Sequence, residues 1–185
     1  MQSTIPNPEQ CLRYLEQYGC SKPVIEHSLA VRDVAVVMAQ LAGANVEVVE
    51  AGALLHDIGR SKTHGIHHAV EGVRIAQQLR LPQEIIHIIE RHIGAGLLKE
   101  ESKQLGLPEK EYLPQTLEEK IVTHADNLID KGKVQPIEKE IEKAKKKGLF
   151  VLAHRIQQLH DELSVICGMD LNNIGELVKK HKKET

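Results

Sequence analysis

The chain has 185 residues, carries 24 Lys and Arg against 26 Asp and Glu, and is 41% hydrophobic and 27% charged. That balance excludes a disordered chain and suits about one globular domain with a small appendage. A formal net charge of −2 and 2% aromatic residues leave neither a basic field for nucleic acid nor stacking platforms for single strands.

The uncharged stretch from Val34 to Val46 is too short to span a bilayer, which takes about 20 apolar residues. MQSTIPNPEQ at the start has no basic region followed by an apolar one. A cytoplasmic location is therefore expected. Cys11, Cys20 and Cys167 are odd in number and without CxxC spacing, so they read as reduced, buried thiols.

The punctuation is helical. Asn7 and Pro8 open a first helix that Gly19 closes, with Cys11, Leu12, Leu15 and Tyr18 on its apolar face. Pro23 opens a second, in which His27, Val31, Val34, Met38 and Leu41 recur at spacings of four and three. Asn45 caps a third, which runs through AlaLeuLeuHisAsp to a stop at Gly59. Residues 60–67 are polar and predict a loop; a fourth helix spans about 68–79, and Pro82 starts a fifth that Gly94 and Gly96 end. A short helix and a Pro-containing loop fill 97–115. Thr116 and Glu119 form a capping box for a helix reaching about Lys131. ValGluValVal at 46–49 is the one candidate strand, but its continuation is helical.

Beyond Pro136 the composition shifts to an amphipathic, charged helix ending at Gly148. A more apolar helix follows, carrying Leu149, Leu152, Ile156, Leu159, Leu163 and Ile166, and Asp170 caps a last one. These observations predict an all-α bundle over 1–132 and a helical C-terminal extension over 133–185 that packs on the core.

The chemistry lies in the histidines. Of 11, six fall between His56 and His92. His27, His56, His68 and His92 sit on apolar helix faces, as does Asp126, which shares one with Val122 and Ile129. Burying such groups unpaired costs several kcal/mol each, and a divalent ion removes that cost. Asp57 needs a cation, a donor or solvent.

His27, the pair His56-Asp57 in LeuLeuHisAspIleGly, and Asp126 in HisAlaAspAsnLeu resemble, in order, the ligand set of the HD superfamily of metal-dependent phosphohydrolases in its HDIG form. The gaps are 29 residues from His27 to His56 and 69 from Asp57 to Asp126. His68 in HisAlaValGluGly and His92 in ArgHisIleGly, 24 residues apart, resemble the additional ligands of the binuclear subgroups. The GYP tripeptide of the cyclic-dinucleotide phosphodiesterases is absent, and ArgHisIleGlyAlaGlyLeu with ThrHisAlaAspAsnLeuIleAsp resembles an archaeal HD group.

The resemblance, which covers about 23–131, implies an HD-domain bundle and metal-activated hydrolysis of a phosphate ester or anhydride. The substrate it implies is a nucleotide or other small phosphorylated metabolite. His27, His56, Asp57 and Asp126 would hold one ion, and Asp57 with His68 and His92 a second; His56 and Asp57 are the catalytic pair. One or two divalent ions are expected, from Mn, Fe, Co, Ni, Mg or Zn. Arg60, Lys62, His64 and Arg91 are candidate substrate contacts. No membrane or specific nucleic-acid partner is expected, and a homo-oligomer is compatible. A binuclear-iron HD oxygenase and a non-catalytic nucleotide- and metal-binding module are the alternatives. His67 competes with His68 for the inward direction, and His124 with Asp126. His87, His154, His160 and His181 read as surface residues, and the Lys143–Lys147 run as a solvated face.

Overall fold

Local capping rules place most of the helices. In the computed structural model, which describes residues 4–184, Asn7 accepts from the Gln10 backbone and opens α1, Pro8–Gln17. The first three residues of the amino-terminal stretch and Thr185 lie outside the described residues. Pro23 sits in the first turn of α2, Lys22–Ala42, which Gly43 ends with φ 69°. The Asn45 side chain accepts from Glu47 and Val48 N–H groups to start α3, Val46–Leu55. After a 3-10 turn at Ile58–Ser61 come α4, His68–Gln78, and α5, Gln83–Arg91. The short α6, Lys99–Gln104, precedes α7, Leu117–Asn127, which Thr116 caps by accepting from Glu119 N–H. The C-terminal part is α8, Ile137–Lys146, α9, Phe150–Cys167, and α10, Ile174–Glu184.

Val46–Val49 is helical, as the cap at Asn45 leads one to expect, but one local expectation is corrected: α7 stops at Asn127 rather than near Lys131. There the chain makes a small antiparallel hairpin: β1, Ile129–Asp130, pairs with β2, Lys133–Val134, with Ile129 opposite Val134. Lys131 and Gly132 both have positive φ, 49° and 74°, the signature of a two-residue turn whose twist suits a hairpin.

Leu97, Leu107 and Tyr112 form a small separate cluster, while the main apolar core spans both the HD-like part and the C-terminal helices. It joins Val31, Val34, Met38, Leu54, Leu55, Ile85, Ile88, Ile89 and Ile121 to Ile137, Ile156, Leu163 and Leu171 from beyond residue 133. α2 packs against α3, α7, α9 and α10, so the last helices close over the same layer of side chains. Leu149 and Ile166, expected on the buried face of α9, are exposed; Ala153, Cys167 and His160 take their place. Among the described residues no helix is long and apolar enough to cross a membrane.

Two outcomes follow from this core. Leu163 is fully buried, so Leu163→Ala should cost about 2–5 kcal/mol and shift one cooperative transition in urea, not a separate C-terminal one. All three cysteines are buried and free. Burial, with the charge of Glu50 adding, pushes the Cys11 thiol up to about 12. At pH 8 a thiol reagent should therefore leave Cys11 unmodified in the native chain and modify it in denaturant.

Candidate metal centre

The six expected ligand residues come from six elements, and four of them stand at α-helix ends. His27 lies in the second turn of α2. His56 is the C-cap of α3 and Asp57 begins the 3-10 turn. His68 is the first residue of α4, His92 the C-cap of α5, and Asp126 the penultimate residue of α7. The bundle brings all six together. His27 Nε2 lies 2.9 Å from Asp126 Oδ1 and 3.9 Å from Asp57 Oδ2. His56 Nε2 is 3.6 Å from both Asp57 Oδ2 and Asp126 Oδ1. On the other side of Asp57, its Oδ1 lies 3.2 Å from His68 Nε2 and 3.5 Å from His92 Nε2. Asp57 thus faces His27 and His56 with one oxygen and His68 and His92 with the other.

Backbone carbonyls fix the imidazole tautomers. His56 Nδ1 lies 2.7 Å from the Ala53 carbonyl, His68 Nδ1 2.8 Å from that of Gly65, and His92 Nδ1 2.8 Å from that of Ile89. A carbonyl only accepts, so each Nδ1 carries the proton and donates it. In the neutral ring each Nε2 is then a bare lone pair aimed inward. His68 Nε2 and His92 Nε2 face each other at 3.0 Å, with a carboxylate oxygen beside both. His56 Nε2 and Asp57 Oδ1 are buried with no hydrogen-bond partner. Lone pairs converging in this way repel unless a cation lies among them. The donor set of imidazole nitrogen and carboxylate oxygen suits a first-row divalent ion, and three groups of ligand atoms each lie within 4.8 Å of one another. One joins His27, His56 and Asp57, one His56, His92 and Asp126, and one Asp57, His68 and His92.

The electrostatics ask for the same positive charge. Burial disfavours charge on His56, yet Asp57 and Asp126 outweigh it and push its pKa up to about 9. Burial likewise opposes the Asp57 carboxylate; His56, His68 and His92 overcome this and hold it well below the usual range. Asp126 is lowered against its burial by its contact with His27 at 2.9 Å and by the nearby His56. His92 is depressed chiefly by burial, with His56 and His68 adding.

Residues 24–129 match the family described as HD domain. The chain belongs to the HD domain family. A tRNA (cytidine(56)-2'-O)-methyltransferase of Picrophilus torridus is 45% identical over 170 residues, 92% of this chain and 50% of that protein. Uncharacterized protein MJ0778 of Methanocaldococcus jannaschii is 53% identical over 134 residues, 69% of this chain and 79% of that one. The chain spans about half the length of the methyltransferase-named relatives. The HD domain of the L. monocytogenes phosphodiesterase PgpH shares the fold, with a TM-score of 0.52 at 22% identity over 83% of this chain and 94% of that one.

The HD cluster opens into a cleft of about 400 Å³ whose lining includes Arg60, His64, His68, His92, Asp126 and Asn127. Arg60 donates from Nε to Asp57, and its Nη1 lies 3.3 Å from the His64 carbonyl. The other two expected substrate contacts are placed elsewhere. Lys62 is exposed and does not line the cleft. Arg91 is spent on the buried Glu119, with Nη1 at 3.0 and 2.9 Å from its two oxygens. That pair also explains the capping-box glutamate: Glu119 accepts from Gln115 N–H and Arg91, not from the Thr116 backbone. His67 points to the Gly106 carbonyl at 3.2 Å, leaving the inward direction to His68. His124 and His160, expected at the surface or core edge, are buried and lie 3.1 Å apart, Nε2 to Nδ1. His160 Nε2 is 3.3 Å from Asp170. Sequence reasoning missed the cleft residues Glu140 and Lys147 because they come from α8 and its cap, far along the chain.

Gly59 does not end α3, as expected, but lets the 3-10 turn touch α4. A Cβ there would fall 1.9 Å from the His68 carbonyl oxygen and 2.5 Å from Gly72 N. The backbone contact is what sets His68 against Asp57. Gly59→Ala should cost about 1–3 kcal/mol and displace His68. Metal titration of that variant should show weaker binding than the native chain, any ion at His68 being affected before one at His27.

Proposed function

We propose that this HD domain is a metal-dependent phosphohydrolase with a binuclear centre, acting on a nucleotide or other small phosphorylated metabolite. The observation that carries the reading is the pair of Nε2 lone pairs of His68 and His92, 3.0 Å apart beside Asp57 Oδ1. His27, His56, Asp57 and Asp126 would hold one ion, and Asp57, His68 and His92 the second. Bound divalent ions supply Lewis acidity to the phosphoryl oxygens and acidify water to near neutral pH.

The chain's own residues do the rest. Backbone carbonyls of Ala53, Gly65 and Ile89 orient three rings so that their Nε2 atoms stay free. Asp57, whose two oxygens face the two sides of the cluster, would with His56 help hold the ions at the cleft floor. Arg60 already rests on Asp57 and keeps guanidinium N–H groups for a phosphate oxygen. The exposed His64 lines the mouth, within reach of substrate. A nucleotide substrate is supported by a fold neighbour, the PgpH HD domain, whose structure is in complex with cyclic-di-AMP. The absence of the GYP tripeptide disfavours a cyclic dinucleotide itself as the substrate here.

The test is metal content and turnover together. Chelation should abolish phosphate release from a panel of nucleotides and phosphate esters, and Mn²⁺, Fe²⁺, Co²⁺ or Ni²⁺ should restore it. His56→Ala and Asp57→Ala should lose metal while helicity persists. His68→Ala or His92→Ala should lower saturating metal from two ions per chain to one and cut kcat by about 100-fold or more, since losing even a residue that orients a ligand costs about 10–100-fold. Inactivity with every metal, accompanied by oxygen uptake, identifies an iron oxygenase instead. Bound metal and nucleotide with no turnover identifies a binding module.

A further inference from the structure

The cleft has a cation that the ligand set does not use. Two cationic side chains line it, Arg60 and Lys147. Arg60 is shared with Asp57 and the His64 carbonyl. Lys147 makes no ion pair or hydrogen bond through its side chain among the described residues. The acidic neighbour on its wall, Glu140, is already engaged: its carboxylate accepts from Lys143 Nζ at 3.1 Å, and Lys143 lies 3.6 Å from Asp130. The ammonium of Lys147 is therefore uncompensated.

Its backbone is held in place although its side chain is exposed. α8 is seated by the buried Ile137, Ile141 and Ala144. Lys147 is the C-cap, and Gly148 follows with φ 74°. Gly148 N–H donates to the Lys145 carbonyl at 2.9 Å and Leu149 N–H to that of Ala144 at 3.0 Å, a Schellman closure. The turn that ends the helix thus sets where the Lys147 side chain leaves the backbone. Residue 147 also lies beyond the segment matched to the HD family, 24–129, so the C-terminal helices add a wall of their own to the cleft.

We propose that Lys147 is a specificity-determining, substrate-binding residue whose ammonium holds phosphate oxygens from that added wall. The inference rests on the phosphohydrolase reading above. A point charge gains about twice as much from a dianionic group as from a monoanionic one at equal distance. Lys147 should then favour phosphomonoesters and terminal phosphates over phosphodiesters.

The experiment uses the full chain loaded with Mn²⁺ and inorganic phosphate as the probe, by calorimetry. Lys147→Ala should weaken phosphate binding about tenfold, the equivalent of 1.4 kcal/mol. Lys147→Glu should weaken it further and Lys147→Arg should retain it, with metal content by elemental analysis unchanged in all three. With para-nitrophenyl phosphate the loss in Lys147→Ala should lie in KM, and the preference over bis-para-nitrophenyl phosphate should shrink. If phosphate binds the native chain and Lys147→Glu equally, the Lys147 assignment fails and the phosphohydrolase reading stands. If the native chain binds no phosphate with metal bound, both fail. If Lys147→Arg loses phosphate binding as Lys147→Ala does, the side chain has a structural role and the assignment fails.

Discussion

The structure turns on a set of lone pairs that cannot be left facing one another. Three imidazoles are locked by their Nδ1 protons to backbone carbonyls, and their Nε2 atoms meet two carboxylates at the bottom of a cleft. Apolar residues at these positions would bury without desolvation cost. Keeping five buried or half-buried ligand groups beside His27 makes sense only if positive charge is supplied. Without metal, a proton on His56 meets part of that need, which is why its pKa rises to about 9 despite complete burial.

The rest of the fold can be read as the means of bringing these groups together. Helix ends are well suited to the task. At the C-termini of α3 and α5 the last carbonyls lack helical partners, so His56 and His92 cap them with Nδ1. Those same C-termini carry roughly half a negative charge each, which adds to the attraction for cations. Glycines then set the spacing. Gly59 lets the 3-10 turn meet α4, and a Cβ at Gly72 would lie 2.6 Å from Ile89 on α5. Both contacts bear on how near His68 comes to Asp57 and His92.

The sequence carried much of this, unevenly. Caps at Asn7, Asn45 and Thr116 and the prolines at 8, 23 and 82 encode helix starts locally, so they could be read residue by residue. The six ligand candidates stood out because polar groups on apolar faces are costly, and the fold does gather them. The hairpin at 129–134 hid behind a helical apolar pattern, its one signal being Gly132 after Lys131. Arg91 could not be assigned from spacing, because its partner Glu119 lies 28 residues away and looked like a capping-box member. His160 read as surface for the same reason: its partners His124 and Asp170 come from other elements.

Charge accounting links the centre to the kind of molecule the cleft can take. The ligand set brings two carboxylates, Asp57 and Asp126. Two divalent ions would bring four positive charges, leaving a surplus of two before Arg60 and Lys147 are added. Glu140, the acidic side chain on the cleft wall outside the ligand set, is tied to Lys143 and offsets little of it. A neutral substrate would leave that surplus uncompensated in a site partly shielded from water, where charge interactions are stronger than in bulk. A phosphate group, carrying one or two negative charges with oxygens spread over a tetrahedron, is matched in both charge and shape. On the proposed reading, the wall that α8 adds would bear on which phosphate compound is held rather than on whether ions are held. The part of the chain outside the HD match is where substrate preference has room to change without disturbing the ligands.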